Sequence, residues 1–175
     1  MNVNYARLLQ RQVAQLTANG SSLRNQGAPG VVAAARKGLA DMNLLQLPRA
    51  GSEDFTRHLD DITQKLLCSF PAGARNWGAA RKVLNLFLRD CLYNFYLRDW
   101  YGLAVCEPYL EVPLDSYVSD GLRRTARGDD LPEWCGVKHV TSKVNALYQE
   151  IASEEADRLG TERVHLDLRY WQPVQ

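Results

Sequence analysis

The sequence predicts an all-α fold of about seven helices, in two lobes around one central apolar helix. Three observations predict it. Apolar residues recur at helical spacing in segment after segment. Helix start and stop signals bound each segment. Only the tail, Val164 to Trp171, alternates apolar and polar residues as a strand would, and no second segment offers it a partner, so it is read as a short terminal helix.

Taken in order, residues 3–18 place Val3, Leu8, Leu9, Val13 and Leu16 near one stripe, and Asn19-Gly20-Ser21-Ser22 ends that helix. Pro29 suits a first turn, and residues 31–42 form the second helix, closed by Leu44 to Pro48. Ser52-Glu53-Asp54 approximates a capping box for a third helix with Phe55, Leu59, Ile62, Leu66 and Leu67 on its buried face. The central helix is Trp77 to Leu97, N-capped by Asn76 and apolar on nearly every side from Val83 onward. Pro113 sits at the first turn of a fifth helix over residues 113–126. Leu131 to Gly136 is a short turn or hairpin. Residues 141–159 form a long amphipathic helix stopped by Gly160.

A chain of 175 residues with 46% apolar content is expected to form a single domain, 1–175. Its parts are a first helical lobe (1–70), a catalytic segment (71–128) and C-terminal helices that complete a pocket (129–175). The net charge of +1 conceals an asymmetry. Residues 1–50 carry Arg7, Arg11, Arg24, Arg36, Lys37 and Arg49 against the single acid Asp41, whereas residues 129–175 are acidic on balance. Such a chain can present a polyanion-binding face without a basic pI. The four cysteines (Cys68, Cys91, Cys106, Cys135) show no C-x-x-C pair, so neither zinc nor an iron–sulfur cluster is expected. His139 and His165 have no ligand partners at metal spacing and are read as polar surface or pocket residues. With no signal core and no apolar run long enough to span a bilayer, the expectation is a cytoplasmic protein with no membrane partner.

Two ionisable residues carry the chemistry. Lys82 lies in the opening turns of the apolar helix, where burial and the helix dipole disfavour the ammonium form and make a neutral amine available as a nucleophile. A lysine there can equally lay its stem on the core and reach water. Asp115, placed at about the third position of the fifth helix, is stabilised as a carboxylate by the dipole; it reads either as an ordinary first-turn acid or as the stabiliser of a sugar cation formed when a glycosidic bond breaks. The two are expected to face one pocket.

The run Gly78-Ala79-Ala80-Arg81-Lys82-Val83-Leu84-Asn85-Leu86-Phe87-Leu88 resembles the second half of the hairpin in helix-hairpin-helix DNA glycosylases, whose G-x-G-R-K-x-x-N-x-x-L pattern carries a catalytic lysine. Val112-Pro113-Leu114-Asp115-Ser116-Tyr117-Val118 resembles their V-D-T-H-V segment with its catalytic aspartate. The 33-residue separation is closest to the archaeal 8-oxoguanine glycosylase branch. Ala80 stands for the second hairpin glycine, Trp77 for the usual proline and Tyr117 for the usual histidine. The resemblance implies a helix-hairpin-helix glycosylase-like fold. It also implies base flipping from double-stranded DNA, a monomer, no cofactor, Lys82 as Schiff-base lysine and Asp115 as essential acid. The substrate is then 8-oxoguanine or, as in anti-phage glycosylases, glucosylated hydroxymethylcytosine.

Under that reading Trp77, Trp100, Tyr117, Trp134 and Trp171 are the aromatics expected to contact a flipped base, with Trp134, on its tight turn, favoured. Gly78, Arg75, Arg81, Lys138 and Lys143 are the expected phosphate contacts. The other reading is a non-catalytic all-α module that binds DNA or protein.

Overall fold

The computed structural model describes residues 2–49, 52–126 and 131–171, and all of its regular structure among these is helical. Eight α-helices follow one another: α1 (Val3–Thr17), α2 (Val31–Ala40), α3 (Ser52–Ser69), α4 (Trp77–Tyr93), α5 (Phe95–Tyr101), α6 (Ser116–Thr125), α7 (Ser142–Leu159) and α8 (Leu166–Tyr170). Five short 3₁₀ segments join them. The capping box expected at Ser52 and Glu53 lies outside the described side chains.

Two apolar clusters organise the chain. The larger is built by α1 to α5 and holds Ala6, Ala14, Leu39, Phe55, Leu59, Phe70 and most of α4. The smaller gathers Val112, Leu114, Val118, Leu122, Tyr148, Ala152 and Leu166 from α6, α7, α8 and the segment before α6. Residues 110–115 run extended and buried between the two. Gln149 holds this segment by pairing with both backbone groups of Val112, at 3.0 and 2.9 Å. Arg163 donates to the carbonyls of Leu110 and Tyr109. Buried backbone outside helices needs such partners.

Three sequence expectations change. The central helix is shorter than the apolar run: Asn94 ends α4 and at the same time caps α5, its side chain accepting from the Leu97 amide at 3.1 Å. Phe95 and Tyr96 then project outward, 76% and 62% exposed, so the all-round burial ends at Leu92. On α1 the buried face is Ala6, Gln10, Val13, Ala14 and Thr17, whereas Val3, Leu8 and Leu16 face out. Small residues let α1 approach its neighbours closely, and Gln10 is buried because it donates to the carbonyls of Leu39, Ala40 and Met42 and accepts from the Tyr101 hydroxyl. Finally, α6 begins at Ser116. Pro113 belongs to the extended run before it, and Asp115 is the N-cap.

Candidate functional site: a cleft between α1, α4, α6 and α8

Lys82 comes from the second turn of α4, whose start is set by the Asn76 side chain accepting from the Ala79 amide at 2.9 Å. Asp115 caps α6, its Oδ1 accepting from the Val118 amide at 3.1 Å. The extended segment held by Gln149 delivers that cap to the side of α4. As a result Lys82 Nζ and Asp115 Oδ2 stand 4.0 Å apart on one cleft of about 410 Å³. The other walls are Leu16, Thr17, Asn19, Ser21 and Ser22 from α1 and the turn after it, Leu86, Arg89 and Asp90 from α4, and Asp167, Leu168 and Trp171 at the chain's end.

The electrostatics are those of a half-dry site. Burial pushes the Lys82 ammonium below its ordinary value, and the nearby Asp115 charge opposes that shift without overcoming it. Arg89 is clamped by Asp90 (2.7 Å) and by Asp167, and Thr17 donates to Asp90 at 2.6 Å. Asp167 is 2% exposed, and its Oδ1 accepts no hydrogen bond from any described residue. A buried carboxylate oxygen without a donor is costly, and the residue that carries it lies in the wall of the cleft.

Among the five expected aromatics, Trp171 alone lines this cleft, and its indole Nε1 donates to Asp115 Oδ2 at 3.0 Å. Tyr117 is 56% exposed and packs its ring on Trp171, with centroids 4.9 Å apart. Trp134 lies away from this cleft: half-buried, it packs edge-on against Tyr148 at the margin of the smaller core. Trp100 lines a separate cavity with Gln10 and Tyr101, and Trp77 another with Arg81 and Lys143.

The phosphate contacts expected at Arg81 and Gly78 are corrected. Arg81 is 2% exposed and forms a bidentate pair with Glu111 (2.7 and 2.8 Å), with further bonds to Asp60 and Thr63. Its donors are consumed inside the protein, and Trp77 lies beneath its guanidinium at 5.2 Å. Gly78 is buried under the segment 137–140; a Cβ there would meet the Val137 carbonyl oxygen at 2.0 Å. Its glycine is required by that close approach, and its backbone is not open to a phosphate. Arg75, Lys138 and Lys143 are exposed, Arg75 donating to the Phe70 carbonyl. His165 bonds Glu107 and Tyr93.

Sequence reasoning missed Thr17, Arg89, Asp90 and Asp167. One signal was available: Lys82, Leu86 and Arg89 are spaced i, i+4, i+7 and so share a helix face. Asp167 and Trp171 are likewise spaced i, i+4. Among the described residues no cluster of His, Cys, Asp and Glu is placed to hold a metal ion, and no helix is long and apolar enough to cross a membrane. Compared with known proteins, the chain matches no family model, no curated protein and no solved structure.

Proposed function

We propose that the chain is a DNA glycosylase of helix-hairpin-helix type that takes a modified base into the Lys82–Asp115 cleft and cleaves its N-glycosidic bond. The observation that carries this reading is the meeting of a half-buried lysine, whose ammonium burial disfavours, and a helix-capping carboxylate at 4.0 Å on one open cleft. Asp115 stabilises positive charge on the sugar as the base departs with the bonding electrons. The neutral Lys82 amine attacks C1′ and a C–N bond replaces the glycosidic bond; one amine proton goes to the departed base, and the other to the ring oxygen O4′ as the C1′–O4′ bond breaks and the nitrogen lone pair closes the C=N bond of the Schiff base. In a monofunctional enzyme Lys82 instead positions the leaving group or a water, and an abasic site remains.

The flipped base stacks on Trp171, and Asp167 Oδ1 accepts from an N–H or O–H on its edge. Both 8-oxoguanine and glucosylated hydroxymethylcytosine offer such donors. Lys138 and Arg75, exposed near the start of α4, are the proposed phosphate contacts, and duplex DNA binds a monomer. The test is excision and borohydride trapping on duplexes carrying each base. We expect excision from one of them, an adduct lost in Lys82→Ala, and at least about a hundredfold slower excision in Asp115→Asn. Excision that persists undiminished in Asp115→Asn would sink the mechanism, and absence of excision from both duplexes would sink the reading.

A further inference from the structure

We propose that Trp171 is a positioning residue for the Lys82–Asp115 pair: its indole N–H clamps one carboxylate oxygen and holds Asp115 short of a closed ion pair with Lys82. The inference rests on the glycosylase reading for its role in catalysis, but the clamp itself is a matter of geometry. Asp115 Oδ2 lies 3.0 Å from Trp171 Nε1 and 4.0 Å from Lys82 Nζ, so the indole, not the amine, makes the hydrogen bond. The other oxygen is taken by the Val118 amide. With both oxygens held by N–H groups, the carboxylate has little to gain by swinging toward the amine.

The indole is placed for this purpose rather than for core packing. Trp171 is 55% exposed. Its ring angle is set by Tyr117, and its backbone follows α8, which Asp167 ties to Arg89 of α4. Tyr170 fills the space over Gly121 of α6, where a Cβ would lie 2.2 Å from its ring. The clamp thus depends on α4, α6 and α8 being docked together.

The charged groups facing Lys82 are few. Asp115 stands at the start of α6, Arg89 and Asp90 on α4 itself, and Asp167 on α8; α1 and the turn after it bring only uncharged side chains. Arg89 is already satisfied by Asp90 and Asp167. Asp115 is therefore the group whose approach sets the protonation of Lys82. Held at a distance, it leaves burial free to lower the ammonium's midpoint, toward the neutral amine that attack at C1′ requires.

The test is a titration of Lys82 in the full chain, with lysines carrying ¹³C-methyl labels read by NMR and the Lys82 signal assigned by its loss in Lys82→Met. In Trp171→Phe, and equally in Trp171→Leu, the cover over the cleft is kept and the N–H is lost. We expect the Lys82 midpoint to rise by about one pH unit in both. Unchanged signals from Lys37, Lys65, Lys138 and Lys143 report that each variant is folded. In an Asp115→Asn background neither substitution moves the midpoint. A midpoint unchanged in both variants overturns the clamp, as does an equal rise when Asp115 is Asn. No DNA enters this measurement, so a wild-type protein that excises no base sinks the glycosylase reading while the titration still decides the clamp.

Discussion

Arg81 and Lys82 are neighbours in the sequence and face different sides of α4, with opposite fates. Lys82 opens onto the cleft, while Arg81 is locked into Glu111 between the two cores. Removing one partner of a buried ion pair strands the other's charge. Arg81→Ala should therefore cost about 3–5 kcal/mol of unfolding free energy, measured by denaturant titration. Lys82→Met leaves no charge uncompensated in this way, since Asp115 keeps its bonds to Trp171 and Val118, and should not destabilise at neutral pH.

The same network sets the acid limit of the fold. Burial alone would raise the Glu111 carboxyl, but Arg81, Asn85 and Asn145 together hold it below its ordinary value of 4.5. The unfolded chain therefore binds a proton on this group more readily than the folded one. Stability from Glu111 is fully present above that ordinary value and is lost as pH falls through the depressed folded one. Glu111→Gln should flatten this acid limb of the stability profile while lowering stability at pH 7, read by thermal unfolding across pH.

Gly78 tests whether the start of α4 is a packing position or a phosphate grip. An alanine Cβ would meet the Val137 carbonyl oxygen at 2.0 Å and Val140 Cβ at 2.8 Å, so backbone must move. Gly78→Ala should lose about 1–3 kcal/mol or more of stability. Under the proposed function, the salt dependence of duplex binding by the remaining folded protein should be unaltered, whereas Lys138→Ala should reduce its slope by about one. Equal stability of Gly78→Ala and wild type would contradict the packing role.

The helices were legible because their local signals are strong. Asn76 and Gly160 cap the ends that their residue types announce. The break at Asn94 was hidden by the aromatic run around it, since Phe95 and Tyr96 read as core although they face outward. On α1 the apolar stripe misled because alanines and a satisfied glutamine made the closer contact. Lys82 and Asp115 could be singled out because each sits at a helix start, where the dipole gives a charge a consequence. Asp167 and Arg89 could not: their placement depends on α8 folding back over α4, a long-range docking that no local pattern encodes.

Asp167, in the wall of the cleft, carries a buried carboxylate oxygen with no donor among the described residues. In Asp167→Asn one oxygen becomes a donor and the charge facing Arg89 is lost. A base whose edge donates to Oδ1 should be excised roughly 10-fold to 150-fold more slowly, the equivalent of one charge-assisted hydrogen bond. Trapping on DNA that already carries an abasic site, where no base is read, should be far less affected. Equal losses on the two substrates would mean that Asp167 serves only to hold Arg89.

Lys82 gives the pH dependence its sign. Its folded-state midpoint lies below the ordinary 10.5 because burial outweighs the charge of Asp115. In the proposed reaction the nucleophile is the deprotonated amine, so adduct formation on abasic-site DNA should rise with pH and level off above a midpoint lower than 10.5. Asp115→Asn removes the negative charge that raises the midpoint, and the profile should move to lower pH even as base excision fails. Lys82→Arg, which stays protonated at any accessible pH, should give no adduct. The linkage to stability runs the same way. The unfolded chain keeps the Lys82 proton more tightly than the folded one, so this residue's burial cost is greatest at neutral pH and fades as pH rises toward 10.5. Lys82→Met should accordingly raise unfolding free energy at pH 7 and lose that advantage above pH 10.5, in denaturation measured at both values. A lysine whose removal stabilises the fold and abolishes the adduct is retained for chemistry, not for packing.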